Sequence, residues 1–368
     1  MYKKPSDSPL SVNQSTAILQ IDRLTALWAL SEAALGGVLH AFHVPFTGLF
    51  INSAAVLFMV LIASASDRKG IILRATIIVL IVKGMVSPHT PFNAYIAVAF
   101  QGILGEYLLR YRKYLAVSAV LLGILTLLQS ATQKIIVLTI VYGRTLWESI
   151  DIFGNFVIGQ LPFISSGEVN LNISIWLISI YIGIHLFAGA GIGLFSVKIP
   201  AWIKSELQNN PERYRLRDGE EKFQIKVKRK KKNWLQKPSN LVILILALAI
   251  VGSSYIFSEI SETQGFHALV MIVRSVCIMS IWYVIIGPQL LKLYKKFIKS
   301  KRDTYAAEVE NTIHRLTPLR FIIYESWGES AKQRGLTRIK SFVTLALVNT
   351  LTAEFYHDKN NFRTNTER

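Results

Sequence analysis

This chain concentrates its apolar residues into runs that are each about as long as a membrane is thick. A helix needs roughly 20 mostly apolar residues to cross the hydrocarbon core, because each residue adds about 1.5 Å. Hydrophobic residues make up 51% of the chain and charged residues 17%, outside the usual balance of a water-soluble domain. We therefore expect an all-α integral membrane protein. The apolar runs cover residues 24–44, 46–66, 71–87, 93–109, 115 to about 133, 173–197, 241–258 and 267–291.

These runs divide the chain into five predicted segments. The largest is a six-helix membrane domain, in which residues 134–171 form a long connection with short interfacial helices. Near the C-terminus, Thr317-Pro318 is typical of a helix start and Gly335 of a helix end. The segments are a cytoplasmic N-terminal segment (1–23), the six-helix membrane domain (24–201), a basic cytoplasmic linker (202–239), a two-helix transmembrane hairpin (240–292) and cytoplasmic amphipathic helices (293–368).

The net charge of +18 comes from Lys and Arg residues that lie mainly between the apolar runs. Short connections rich in these residues stay in the cytoplasm. Lys3, Lys4 and Arg23 therefore predict a cytoplasmic N-terminus, and the same rule predicts a cytoplasmic C-terminus for this multi-pass protein of the inner (cytoplasmic) membrane. The basic run from Lys226 to Lys232 has no interleaved aromatic residue, which favours anionic lipid over nucleic acid as its partner.

Small residues recur at a spacing of four in the first apolar run, and the sixth run has a similar stripe that includes Gly189 and Gly193. Such a stripe lets a second helix approach closely. The second helix can belong to a partner protein or to this chain, and the spacing favours packing within the chain. The stripe of the first run consists of Ala29, Ala33, Gly37 and Ala41.

Several short motifs mark the N-terminal half, and they accompany six predicted helices with the N-terminus inside. They are residues 29–33 (ALSEA), 44–48 (VPFTG), the stretch 84–91 and residues 101–106 (QGILGE). With these features, residues 24–200 resemble the substrate-binding S components of energy-coupling factor (ECF) transporters. The long fifth loop and the C-terminal extension depart from the common pattern of that family.

The resemblance implies a fold, a ligand class and partners. External loops would close over a vitamin or similar small molecule, and Ala29 and Ala33, with Gly37 on the same stripe, would contact a T component. Residues 331–335 weakly resemble the motif by which a T component docks into its ATPase, which would make Arg334 a contact residue. A membrane-surface helix pair is the alternative reading of that C-terminal part.

Polar side chains near the predicted outer face are the candidates for a binding site. Glu148 and Asp151 follow Trp147 and fit a cationic ligand beside an indole, and equally fit a loop helix with a wet polar face. His40, His43 and His89 favour interfacial hydrogen bonding over a metal site, because no Cys or carboxylate cluster accompanies them. The predicted substrate-binding residues are His89, Asn93, Trp147, Glu148 and Asp151. No metal, cofactor or catalytic residue is predicted.

Charged residues also occur inside the third and fourth apolar runs. They are Arg74, Lys83 and Glu106. A mutual ion pair, or side chains that reach towards the membrane surface, explains them best.

The sequence contains no phosphate-binding Gly-x-x-x-x-Gly-Lys-Ser/Thr motif and no hydrolase motif. Together with the resemblance to S components, this absence implies a non-enzymatic, substrate-binding subunit of an ATP-driven importer, energised by separate ATPase chains. An integral membrane enzyme with an outer-face His and carboxylate site is one alternative. A membrane scaffold or assembly subunit is the other.

The predicted orientation can be tested with single cysteines in a Cys277→Ala background. Cysteine at Asp67 or Ser239 should be shielded from a membrane-impermeant thiol reagent in intact cells, because both positions adjoin basic segments. Cysteine at Thr90 should react. The opposite labelling pattern would rule out the predicted topology.

Overall fold

The computed structural model describes residues 12–35, 46–87, 90, 92–160, 171–209 and 264–352. All the secondary structure within those ranges is helical. We number the helices in chain order. They are α1 (Val12–Leu30, continued by a π-helical turn Ser31–Leu35), α2 (Thr47–Ala65), α3 (Ile71–Val86), α4 (Phe92–Leu108), α5 (Leu115–Tyr142), α6 (Arg144–Gly159), α7 (Ile173–Asn209), α8 (Gln264–Ile281, continued by a π-helical turn Trp282–Ile286), α9 (Gly287–Arg302), α10 (Ala306–Ser330) and α11 (Gly335–Thr352).

Four described stretches are long and apolar enough to cross a membrane: α2, α5, residues 173–206 of α7, and residues 271–301 of α8 and α9. This confirms the all-helical, membrane-type character expected from the apolar runs. The number of crossings stays a prediction, and the predicted span 241–258 lies outside the described residues.

Helices α2, α3 and α4 begin and end within one residue of their predicted bounds. Their ends are defined by residues that cannot continue a helix. Gly70 has a φ of 80° immediately before α3, a conformation that side chains other than glycine rarely adopt. Phe46 has a φ of 60° before α2 and is the one described non-glycine residue with positive φ.

Two helices extend beyond their predicted bounds in the N-terminal half. Helix α1 begins at Val12 instead of Leu24. The turn before Leu24 packs in the protein: Ile21 is buried, and Arg23 donates hydrogen bonds to carbonyl groups near the end of α11. Helix α5 continues past Gln133 to Tyr142 and ends at Gly143, which has a φ of 75°. The end of an apolar run is therefore not the end of the helix.

Two further predicted ends were also wrong. Helix α7 continues through Pro200 to Asn209, because Ile199 and Ile203 are buried in the core. Helix α10 likewise contains Pro318 in its interior and ends at Ser330, before Gly335 starts α11. Buried contacts offset the hydrogen bond that each proline removes.

Among the described helices, α5 and α7 pack closely together, and their backbones meet at glycines. A Cβ atom at Gly189 would lie 2.6 Å from the carbonyl oxygen of Gly123, and one at Gly193 would lie 2.5 Å from that of Ala119. The small stripe of the sixth predicted helix therefore packs within the chain, as its spacing favoured.

The C-terminal helices pack against the N-terminal ones. Arg74 of α3 forms an ion pair with Glu308 of α10. The Tyr294 hydroxyl of α9 donates a hydrogen bond to the carbonyl oxygen of Leu80, at 2.6 Å. A Cβ atom at Gly84 would lie 2.9 Å from the hydroxyl oxygen of Tyr294, so this tyrosine packs directly against the glycine. The two halves of the described chain thus share one packed core.

The glycine contact predicts a sharp difference between two substitutions on the same helix. Gly189→Ala should lower the free energy of unfolding by about 1–3 kcal/mol, because the added methyl group forces two backbones apart. Gly183→Ala is the matched control, since a Cβ there meets nothing within 4 Å. It should be neutral or slightly stabilising. Thermal unfolding in detergent compares them, and equal midpoints would contradict the close contact.

Candidate ligand site

Polar side chains form a layer across the bundle, close to the end where α2 begins. We call this end the Thr47 end and the opposite one, where α3 begins, the Gly70 end. The members of the layer come from α1, α2, α3, α4, α5 and α7, and each is buried. We define the polar layer as Glu32, Asn52, Lys83, Gln101, Thr126 and His185.

An ion pair between Glu32 and Lys83 is the most deeply buried charged contact of the layer. The Lys83 Nζ lies 2.6 Å from Glu32 Oε2, and the two side chains are 6% and 2% exposed. Glu32 lies in the π-helical turn Ser31–Leu35, an irregularity that is frequent at functional sites. Two charges removed from water need each other, because the desolvation of either one alone costs several kcal/mol.

Aromatic rings continue from the ion pair. Lys83 Nζ lies 5.9 Å from the centre of the Tyr95 ring, within the range of a cation–π contact. The Tyr95 ring lies 4.2 Å, centre to centre, from the ring of Tyr294 in α9. The C-terminal half of the chain therefore borders the polar layer.

A hydrogen-bonded amide pair lies deeper in the bundle. Gln101 Nε2 donates to Asn52 Oδ1 at 2.9 Å, which joins α4 to α2. Gln101 is fully buried and its Oε1 has no partner in the described part of the chain. A buried polar atom left in this way costs about 1–3 kcal/mol.

Helix register places Thr126 and His185 at the level of this amide pair. A Cβ at Gly48 of α2 would meet Ser130 of α5, and the two helices run in opposite directions. Asn52 lies one turn after Gly48 in α2, and Thr126 lies one turn before Ser130 in α5. The two residues therefore share a level. Gly189 of α7 meets Gly123 of α5, and these two helices also run in opposite directions. His185, one turn before Gly189, therefore lies near the level of Thr126, which follows Gly123 by about one turn.

The ion pair and the amide pair are separated by about 10 Å along the bundle. This follows from the contact between Gly102 and Thr76, which lies seven residues from Lys83 at about 1.5 Å per residue. The polar layer therefore extends along the bundle axis as well as across it.

The predicted substrate-binding residues lie elsewhere, and two of them hold α6 in place. Trp147 Nε1 donates to Thr139 Oγ1 at 3.0 Å. The two carboxylate oxygens of Asp151 accept hydrogen bonds from the backbone N–H and the hydroxyl of Ser174, at 2.6 and 2.9 Å, and so cap the start of α7. Glu148 is exposed.

Asn93, in the first turn of α4, and His89 are the other two predicted binding residues. Asn93 is half-buried, and its Oδ1 has no partner among the described residues. His89 lies outside the described residues, as do His40 and His43. Binding at any of the predicted positions stays a prediction.

The predicted partner-contact residues have contrasting exposure. Ala29 is fully buried and Ala33 is 8% exposed, so this part of the stripe is covered by the chain's own helices. That burial supports the alternative of packing within the chain. Gly37 lies outside the described residues, and Arg334 is exposed in the turn between α10 and α11.

The charged residues of the third and fourth runs do pair, but not with one another. Lys83 binds Glu32 and Arg74 binds Glu308. Glu106 accepts hydrogen bonds from the backbone N–H groups of residues 70, 72 and 73, and so caps the start of α3. Glu32 was missed as a site residue, although an acidic residue inside an apolar run was its signal.

Neither of two open surface grooves reaches the layer. One is apolar and follows a single face of α7, from Trp176 to Phe187. The other is polar and lies between Trp202 of α7 and Lys340 of α11. Within the ranges that the structure covers, no three His, Cys, Asp or Glu residues are grouped closely enough to hold a metal ion.

Comparisons with protein-family models, curated proteins and solved structures found no match for this chain. The resemblance of its N-terminal half to S components therefore stays a prediction.

The buried ion pair predicts a non-additive response to substitution. Lys83→Met should destabilise the protein by about 3–5 kcal/mol, because it leaves Glu32 buried without a cation. Glu32→Met combined with Lys83→Met should recover most of that loss, since no charge remains buried. Thermal unfolding of the single and double variants measures the coupling.

Arg74→Met is the matched control for this ion pair. Arg74 and Glu308 are 49% and 28% exposed, so their pair should contribute only about 0–1 kcal/mol. If the double Glu32 and Lys83 variant is as unstable as Lys83→Met, the pair does not act as a unit.

Proposed function

We propose that this chain is the substrate-binding membrane subunit of an ATP-driven, ECF-type importer that captures a vitamin or similar small molecule at the polar layer. The observation that carries the proposal is the buried pair of Glu32 and Lys83 in a bundle of apolar helices. Ionisable residues in such a setting commonly mark the path or the site of a ligand. The unpaired buried oxygen of Gln101 adds a group that a ligand can satisfy.

Separate ATPase chains supply the energy in this proposal, because the sequence has no phosphate-binding loop. The alternative of a membrane enzyme needs His and carboxylate groups together at the outer face. The two carboxylates predicted for such a site do not favour that alternative: Asp151 caps a helix and Glu148 is exposed. A scaffold subunit needs no buried ligand site, so the polar layer favours the importer over it.

In the proposed orientation the chain lies in the inner (cytoplasmic) membrane with the Thr47 end outside. The Gly70 end, with Arg68, Lys69 and Arg110, is in the cytoplasm. Arg334 and the basic segment before α8 are then cytoplasmic. We assign Arg334 to contact with an ATPase subunit and the basic segment to anionic lipid, without nucleic acid as a partner. A T component would bind elsewhere than the buried Ala29.

Native mass spectrometry of the full chain after gentle detergent extraction tests the function. Wild-type protein should retain a small molecule and copurify with an ATP-binding protein. The double variant Glu32→Met with Lys83→Met should stay folded and keep the ATP-binding protein, but lose the small molecule. Its matched control, Arg74→Gln with Glu308→Gln, should keep both.

Three outcomes would contradict the proposal. Retention of the small molecule by the Glu32 and Lys83 double variant would move the site away from the polar layer. Chemical turnover by the isolated chain would favour the enzyme. Wild-type protein without any bound small molecule would favour the scaffold.

A further inference from the structure

Buried polar atoms without a hydrogen-bond partner indicate which ligand groups the polar layer can bind. Each belongs to a side chain that is at most 4% exposed. Groups of this kind are normally satisfied in proteins, by other groups or by water, and each unsatisfied one costs about 1–3 kcal/mol. In the described residues of the layer and next to it, they are Trp28 Nε1, Glu32 Oε1, Gln101 Oε1, Thr126 Oγ1 and His185 Nε2.

Most of these atoms are hydrogen-bond acceptors. The carboxylate of Glu32 can only accept, and the Gln101 amide has already used its nitrogen on Asn52. His185 Nδ1 lies 2.8 Å from the carbonyl oxygen of Tyr181, which can only accept, so Nδ1 carries the proton. In the neutral ring Nε2 is then an acceptor. The unpartnered atoms thus include three acceptors and one certain donor, the indole N–H of Trp28.

The charges of the layer exclude a charged ligand. Lys83 is the cation of the layer, and it is already paired with Glu32. An anionic ligand would meet the Glu32 carboxylate without a free cation to offset the repulsion, and a cationic one would compete with Lys83. Either charge would have to leave water at a cost of several kcal/mol.

Aromatic side chains border the layer on two sides. Trp28 lies one helical turn before Glu32 on α1, and Tyr95 lies beside Lys83. On the other side, the ring of Tyr181 is 4.4 Å, centre to centre, from that of His185. Flat rings offer stacking surfaces for a flat ligand.

We propose that the polar layer binds an uncharged, donor-rich small molecule of the amino-substituted heterocycle class, whose N–H groups face Glu32, Gln101 and His185. This assignment rests on the proposed function as a small-molecule-binding subunit and specifies its substrate class. One acceptor on the ligand would meet the Trp28 N–H. The two ends of the ligand would reach the ion pair and the amide pair.

Two probe sets test the class with the full chain in detergent. Adenine and cytosine are uncharged and carry amino groups, whereas nicotinate and orotate are ring carboxylates. Adenine or cytosine should raise the thermal unfolding midpoint, and the carboxylates should not. Stabilisation by the carboxylates would overturn the class while leaving the proposed function intact. Stabilisation by neither set would also overturn the class. The proposed function is tested separately, by whether mass spectrometry finds a retained small molecule.

Variants identify the atoms involved. Gln101→Met removes the Oε1 acceptor, together with the Nε2 donor to Asn52, at nearly constant volume and should weaken probe binding about tenfold or more. Gln333→Met is the control, since Gln333 is exposed in the turn between α10 and α11 and should bind like wild type. If Gln101→Met does not fold, His185→Asn serves instead, because it keeps a donor near the Tyr181 carbonyl and removes the Nε2 acceptor. Unchanged probe affinity in the folded variant would overturn the proposal.

Discussion

A carboxylate buried among apolar helices must keep a cation beside it, and this constraint determines how the N-terminal helices meet. Glu32 and Lys83 form that contact at 2.6 Å, with both side chains almost fully buried. Breaking it would leave a charge without compensation, at a cost comparable to a large part of a domain's stability. The relative positions of α1 and α3 are therefore fixed near the Thr47 end. Tyr95 and Tyr294 pack outward from this pair.

A second constraint comes from backbone contact instead of charge. Helices α5 and α7 touch at Gly123, Gly189 and Gly193, where no side chain separates them. Such contacts allow little sliding, since a shift along the helix would bring larger residues into the interface. The register that results sets Thr126 and His185 at one level. The polar layer is thus assembled by two independent contacts, one ionic and one between glycines.

The sequence predicted α2, α3 and α4 well because turn-forming residues bound their apolar runs. It failed at α5, α7 and α10, which continue through polar residues or proline. Buried side chains stabilise the extra turns of α7 and α10. The candidate site was harder to predict from the sequence. Trp147 and Asp151 had the chemistry of binding residues, but local hydrogen bonds engage both. Glu32 and His185 become neighbours of other polar groups only through long-range packing, which spacing along the chain does not encode.

The C-terminal helices extend the effect of the ion pair over the rest of the bundle. Arg23 of α1 donates to the end of α11, and Arg74 of α3 pairs with Glu308 of α10. Helices α1 and α3 therefore each contact the layer near the Thr47 end and the C-terminal helices near the Gly70 end. A ligand that binds against the Glu32–Lys83 pair would change the packing of these two helices. Because helices are stiff over such lengths, that change would reach α10 and α11.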